Sequence, residues 1–335
     1  MTRLARFLAA ISLLLGVSGC GAPDSPSGPP LKLTIAESSQ PLWVLFYVAQ
    51  AKGFFTEAGL DVAFTSFELG KDALDNVLEG KADLATVLEM PVVAKIYAGN
   101  DIAIVSTLYT SSRNQVLLAR RDRGIAVPAD LEGKRIGLSL GTAQEYMLSV
   151  FLAIESIPAA SITRVQVAPA DYQKSLLDGS VDAVIVFNPY KALIQKALGE
   201  GVTTFYFDTY VENALLVGKR EVVAGKREAM TRLVKALVKA QGYRERNKDE
   251  TIRITFERFA GRFAESAIRE AWDDFRPEAK LDNILLSTIS LEGQWMKDSG
   301  RFSGPVPDFR KHLFTDYLRA ARPEAVTVQS PGVSR

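Results

Sequence analysis

Residues 31–36 (LKLTIA) alternate apolar and polar positions, the period-two signature of a strand with one buried face. Residues 43–52 are mostly apolar and predict a helix ended by Gly53. The same reading predicts strands over 60–64, 82–88 and 102–108, and helices over 72–78 (closed by Gly80) and 91–98. A second series follows: strand 134–138, helix 142–154, strand 162–167, helix 172–177 before Gly179, and strand 181–187. Strands alternating with helices imply parallel pairing through right-handed crossovers. From Arg227 the pattern turns helical, over 229–244, 249–258, 264–275 and 285–298, and 322–335 reads as frayed. There is no short repeat, but the two series echo each other. Each contains a helix, a Gly and then a strand opening with an Asp: Gly80-Lys81-Ala82-Asp83 and Gly179-Ser180-Val181-Asp182.

With 335 residues, 47% of them apolar and 24% charged, the chain is long enough for a full core and reads as two globular lobes. A net charge of +1 argues against an electrostatic nucleic-acid binder. A single Cys excludes an intramolecular disulfide and a Cys-rich zinc site. A single His (His312) leaves no His-x-x-x-His metal site and disfavours His-based catalysis.

The N-terminus carries Arg3 and Arg6, then an apolar run from Phe7 to Val17. That run is shorter than the roughly 20 residues needed to span a bilayer and reads as a secretory signal over residues 1–19. It ends in Val17-Ser18-Gly19-Cys20, which resembles a lipobox with Cys20 as the lipidated residue. Residues 20–30 (CGAPDSPSGPP) then form a flexible tether. Removing residues 1–19 takes away two Arg and no acid and leaves a net charge of −1. The expected location is the periplasm or cell surface, with the membrane reached only through the lipid anchor.

Five further stretches, in order, resemble the NitT/TauT-type substrate-binding lipoproteins of ABC importers. They are Lys52-Gly53-Phe54-Phe55 with Gly59-Leu60-Asp61-Val62, Leu78-Glu79-Gly80-Lys81-Ala82-Asp83, Leu131-Glu132-Gly133-Lys134-Arg135-Ile136-Gly137 with Gly141-Thr142 and Tyr146, Leu177 to Tyr190, and Met296-Lys297-Asp298-Ser299-Gly300. The likeness runs over about residues 31–320. It implies an α/β, type II periplasmic-binding-protein fold, with two α/β lobes joined by a two-segment hinge and ligand in the cleft. By that resemblance lobe 1 is 31–108 with a return over 214–320, lobe 2 is 109–213, and 321–335 is a flexible tail. The hinge segments fall near 107–113 and 207–214. The partners it implies are a small solute, a permease and its ATPase; no cofactor and no catalytic residue follow, and a monomer is expected.

Ligands of open α/β sheets bind beyond the carboxyl ends of strands, which selects a few loops. After the first strand come Ser38, Ser39, Gln40 and Trp43; Ser39 is either a ligand donor or a helix cap, and Trp43 either a flat binding face or a core anchor. Glu89 precedes a helix start, as a dipole-favoured acid or as a carboxylate facing an amine or ring N–H of the ligand. In 139–146, Gly141 permits close backbone approach and Thr142 caps, with Gln144 and Tyr146 following. Asn188 and Tyr190 flank Pro189, and Asp208 lies near the second hinge segment as a ligand contact or a bridge between lobes. This set predicts capture of a small organic solute, a sulfonate or an amine-bearing or heterocyclic compound, for import. A sensing lipoprotein is the alternative, followed by an enzyme on the same fold.

Overall fold

The computed structural model describes residues 28–259, 262–274 and 276–328. The expected signal, Cys20 and all of the tether but residues 28–30 lie outside the described residues, as do residues 329–335 of the tail. Among the described residues no helix is long and apolar enough to cross a membrane.

The chain runs β1 (Leu31–Ser38), α1 (Val44–Ala51), α2 (Phe54–Glu57), β2 (Leu60–Phe67), α3 (Gly70–Leu78), β3 (Leu84–Leu88), α4 (Glu89–Tyr97) and β4 (Ile102–Ser111). It continues through β5 (Gln115–Arg120), β6 (Arg135–Leu138), α5 (Ala143–Ile154), β7 (Thr163–Gln166), α6 (Tyr172–Leu177), β8 (Ala183–Phe187), α7 (Tyr190–Leu198) and β9 (Val202–Tyr206). The remainder is β10 (Glu212–Lys219), α8 (Arg220–Gly225), α9 (Arg227–Arg246), α10 (Lys248–Arg258), α11 (Glu265–Glu270), β11 (Arg276–Lys280), α12 (Asn283–Asp298) and α13 (Asp316–Ala321).

These strands form two sheets, ordered β11-β4-β10-β3-β1-β2 and β7-β6-β8-β5-β9. The chain passes from the first to the second over residues 112–114, between β4 and β5. It returns over residues 207–211, between β9 and β10. The Asp echo has a physical basis. Asp83 Oδ2 accepts the backbone N–H of Thr34, and Asp182 Oδ2 accepts that of Arg135, both at 2.9 Å. The backbone N–H groups of the two acids donate in turn to Thr34 O (3.0 Å) and Arg135 O (2.9 Å). Each acid therefore clamps the neighbouring strand, and Gly80 and Gly179, both at φ 78°, supply the left-handed turn that delivers it.

The expectation of parallel pairing holds only in part. β1 is parallel to β2 and β3, and β6 to β7 and β8. However, β10 is antiparallel to both β3 and β4, and β5 is antiparallel to β8 and β9. The returning chain enters each sheet from the opposite end, so its strands run against their neighbours. β5 and β10 are buried nearly throughout and read as continuous apolar runs without alternation. The helix expected over 264–275 stops at Glu270, and β11 follows as an edge strand, the position where its Pro277 costs no interior ladder bond. The tail expected to be frayed instead packs through Val328. Leu281 donates its N–H to Ala325 O and accepts that of Thr327, both at 2.9 Å, and Ala325 and Val328 are buried.

Candidate functional site

Between the sheets lies an open pocket of about 490 Å³, a volume that includes the solvent space at its mouth. From the first sheet its wall takes Ser38 and Gln40 beyond β1, Leu69, Gly70 and Lys71 at the start of α3, and Val87, Leu88 and Pro91 across the β3–α4 junction. From the second it takes Asn114 and Gln115 at the start of β5, Ser139, Thr142 and Gln144 between β6 and α5, Tyr172 at the start of α6, and Phe187 at the end of β8.

The polar groups are held in place by their neighbours. Ser38 Oγ accepts the Trp43 indole N–H at 2.7 Å, which leaves the serine hydrogen free to donate. The Gln40 side-chain amide has no partner among the described residues. Ser139 Oγ donates to Val167 O (3.1 Å) and meets the Tyr172 hydroxyl at 2.7 Å. Gln144 accepts the Ser139 N–H at 2.7 Å and donates to the Tyr172 hydroxyl at 3.2 Å. Thr142 caps α5 by accepting Gln144 N–H. Behind the wall, Glu212 is buried and accepts from Tyr109 Oη (2.9 Å), Asn114 Nδ2 (2.6 Å) and Gln115 Nε2 (2.7 Å). Burial raises its pKa above the usual carboxylate value, and the three donors offset only part of that rise.

Among the described residues, Lys71 is the one charged member of the lining. Its ammonium donates to Leu140 O at 3.0 Å, across the cavity. Glu68 accepts the Ala170 N–H from the other side at 3.2 Å, so two polar links join the sheets at this rim. The first turns of α3, α4 and α5 also face the cavity, and neither α3 nor α4 has a side-chain cap. A wall that, among the described residues, holds one cation, three helix N-termini and no carboxylate suits an anionic or strongly hydrogen-bonding head. Leu69, Val87 and Phe187 offer apolar surface to the rest of a ligand.

Of the residues singled out from sequence, Ser38, Gln40, Thr142 and Gln144 line this cavity. The others lie outside its lining. Trp43 is 1% exposed in the core. Ser39 Oγ accepts from Arg262 at 3.0 Å. Gly141 sits beside the Lys71 ammonium, with its N–H on Glu145 Oε2 at 2.7 Å. Tyr190 packs edge-on against Tyr172, Phe187 and Phe263, one layer behind the wall. Asn188 donates to Asp274 Oδ2 at 2.9 Å, and Asp208 pairs with Arg113 at 3.2 Å. Tyr146 meets Tyr210 and Trp295 edge-on.

Glu89 corrects the sequence reading most. It does not face the cavity. It is fully buried, accepts from the Tyr210 hydroxyl, and takes the Asn213 N–H at 3.0 Å. Burial pushes its pKa up to about 8. With Glu89 turned inward, the cavity loses the acid that pointed to an amine-bearing ligand.

Lys71, Asn114, Gln115 and Tyr172 were missed. Lys71 left a faint signal as a base in the first turn of a helix, where acids are usual. Asn114-Gln115 stands as a polar pair directly ahead of the apolar run from Val116 to Ala119.

Comparison with known proteins places this architecture. The family model described as NMT1/THI5 like matches residues 40–250. The chain belongs to the NMT1/THI5-like family. A protein of Bacillus subtilis (strain 168), named for aliphatic sulfonate binding, is 25% identical over 192 residues, 55% of this chain and 56% of that protein. The match thus spans little more than half of that relative. The periplasmic aliphatic sulphonate binding protein SsuA from Escherichia coli superposes with a TM-score of 0.74 at 17% identity, over 86% of this chain and 99% of that one. SsuA from Xanthomonas axonopodis pv. citri, solved bound to MOPS, gives 0.72 at 17% identity over the same shares. This member of the NMT1/THI5-like family has the periplasmic-binding-protein fold, with mixed α/β structure in two sheets.

Proposed function

We propose that the chain is the extracytoplasmic solute receptor of an ABC importer. It captures a small organic solute between two lobes and presents the closed form to a permease served by a separate ATPase. The observation that carries this reading is the cavity itself, walled from both sheets, so that one ligand touches both and favours their closed approach. The names of the relatives add support. The lobes are taken as the two sheet units, the hinge as residues 112–114 and 207–211, and the anchor as a lipid on Cys20.

The solute is a compound with a singly charged anionic head and a short apolar body, of which an alkanesulfonate is the type. Lys71 supplies the countercharge, Ser38 and Gln40 supply free hydrogen-bonding groups, and Phe187 and Leu69 flank the body. Among the described residues no carboxylate lines the cavity to hold an amine. The chain works by binding, without catalysis.

A thermal-shift panel on the purified chain tests this. It holds ethanesulfonate, MOPS, taurine, nitrate, bicarbonate and an aminopyrimidine. A ligand at 100 times its dissociation constant adds about 2.7 kcal/mol of stability, a shift of several degrees. The expected result is stabilisation by ethanesulfonate or MOPS, lost in Gln40→Ala. Stabilisation by the aminopyrimidine alone defeats the anion reading. Stabilisation by no member, with transport of none of them in cells, defeats the importer reading and leaves the sensing alternative.

A further inference from the structure

Outside the cavity, one buried cluster stands without a role. Tyr210 lies in the second crossing, residues 207–211, and its hydroxyl touches two carboxyl groups at once. One is Glu89, the first residue of α4. The other is Glu292 on α12, whose Oε1 lies 2.9 Å from the hydroxyl. Both acids are 0% exposed, and Glu292 Oε2 has no hydrogen-bond partner among the described residues.

Counting hydrogens constrains this arrangement. A tyrosine hydroxyl has one hydrogen, and an ionised carboxylate has none. Two ionised acids would leave one of the two contacts as lone pair against lone pair. At least one carboxyl therefore holds a proton and donates it to Tyr210. Glu292 is the natural holder, because Glu89 already receives the Asn213 N–H on its other oxygen and Glu292 receives nothing there. Burial and mutual repulsion raise both acids, Glu292 well above the usual carboxylate range.

Among the described residues the surroundings supply no cation to replace that proton. On α5, Tyr146 faces Tyr210 edge-on at 5.6 Å, and the next residue toward the N-terminus, Glu145, is already paired with Arg301. On β10, Glu212 adds a further negative charge to the field at Glu89 and Tyr210. On α12, Trp295 meets Tyr146 edge-on and carries the Arg301 guanidinium 4.7 Å from its ring. α4 and α12 pack together on the first sheet's side, whereas α5 follows β6 of the second sheet. Tyr210 is thus the joint between them.

We propose that a proton shared among Glu89, Tyr210 and Glu292 pins the second crossing, and that its loss in alkaline medium releases the crossing and loosens the approach of the two sheets. The device makes closure proton-linked whatever solute fills the cavity. It goes beyond the importer reading, and its test needs no ligand.

The test is hydrogen exchange on the full chain, read on the amides of residues 207–213 as protection factors from pH 6 to pH 9.5. Tyr210 N–H donates to Phe207 O at 3.0 Å and Asn213 N–H to Glu89, so both report on the joint. One linked proton predicts protection that falls about tenfold per pH unit above about pH 8. In Glu292→Gln the amide donates to the Tyr210 oxygen without a titrating proton, and the expected protection is flat with pH. Tyr210→Phe is the second variant, with protection low at every pH. Wild-type protection that stays flat to pH 9.5, or a fall of equal slope in Glu292→Gln, overturns the proposal. A helical peptide far from the joint, such as one within α9, serves as the internal control and stays protected throughout.

Discussion

Removal of the Glu212 side chain is the most informative single change to the wall of the cavity. This carboxylate is buried and is the common acceptor for Tyr109, Asn114 and Gln115 at 2.6 to 2.9 Å. Glu212→Ala leaves three donors without that acceptor in a site water reaches poorly. Asn114 and Gln115 each lose a buried acceptor at about 1–3 kcal/mol, so the sum is about 2–6 kcal/mol. That is a large share of a typical total of about 5–15 kcal/mol. At about 2 °C per kcal/mol for a chain of this size, the thermal midpoint drops by about 4 °C or more. Glu212→Gln is the graded comparison. Its remaining oxygen serves Tyr109 and Asn114, and only the Gln115 bond turns into donor against donor, a cost of about 1–3 kcal/mol. Melting followed by circular dichroism ranks the three proteins. Asn114 and Gln115 line the cavity, so ligand affinity falls with stability in the same order. A midpoint for Glu212→Ala within 2 °C of wild type would falsify the argument that this acid organises the wall.

Three further outcomes are expected. Lys71→Met removes one charge-assisted contact worth about 1.5–3 kcal/mol, so titration calorimetry with an alkanesulfonate should show binding weaker by about ten- to a hundred-fold, with Lys71→Arg recovering part; equal affinity refutes the countercharge role. Gly70→Ala places a Cβ 2.9 Å from Val87 Cα, which forces the start of α3 off the wall, lowers stability by about 1–3 kcal/mol and weakens ligand binding; an unchanged melt counts against it. The raised Glu89–Glu292 pair has a sign consequence. The proton it shares is lost from the fold at about pH 8, above the unfolded value near 4.5, so its contribution to stability is full below about pH 4.5 and is lost as the pH rises to about 8. Within that window one proton is worth about 1.4 kcal/mol per pH unit, and Glu292→Gln should flatten the decline in thermal midpoint; an identical slope in the variant rejects the assignment.

Strands β1 to β4 and β6 to β8, with helices α1 and α3 to α6, are legible in the sequence because each carries its own local signal. β1 shows alternation, and α9 repeats Met230, Leu233, Leu237 and Ala240 on one buried face. The Asp83 and Asp182 clamps were visible as an echo before their purpose was. The antiparallel members are less legible. β5 and β10 have apolar centres without alternation, and direction is set by where the chain re-enters a sheet, which no local pattern records. β11 combines Arg, Pro, Glu and Lys in five residues and is held as a strand by its neighbour β4.

The candidate site divides in the same way. Loops beyond strand ends located Ser38, Gln40, Thr142 and Gln144, because that rule concerns topology. It did not give side-chain direction. Trp43 points inward because its indole N–H has a partner in Ser38 at 2.7 Å and its ring has a core to fill. Glu89 points inward because the crossing brings Tyr210 and Asn213 to it from more than a hundred residues away. Lys71 reaches the cavity only because α3 starts against Val87, a contact that Gly70 permits.

A co-crystal structure with the tightest-binding member of the solute panel decides whether this cavity is the binding site. One ligand is expected between the sheets, its anionic head on Ser38, Gln40 and Lys71 and its body against Phe187. The Lys71 ammonium then lies on the ligand instead of on Leu140 O. A ligand bound elsewhere on the surface, with this cavity filled only by water, would overturn the solute-receptor reading.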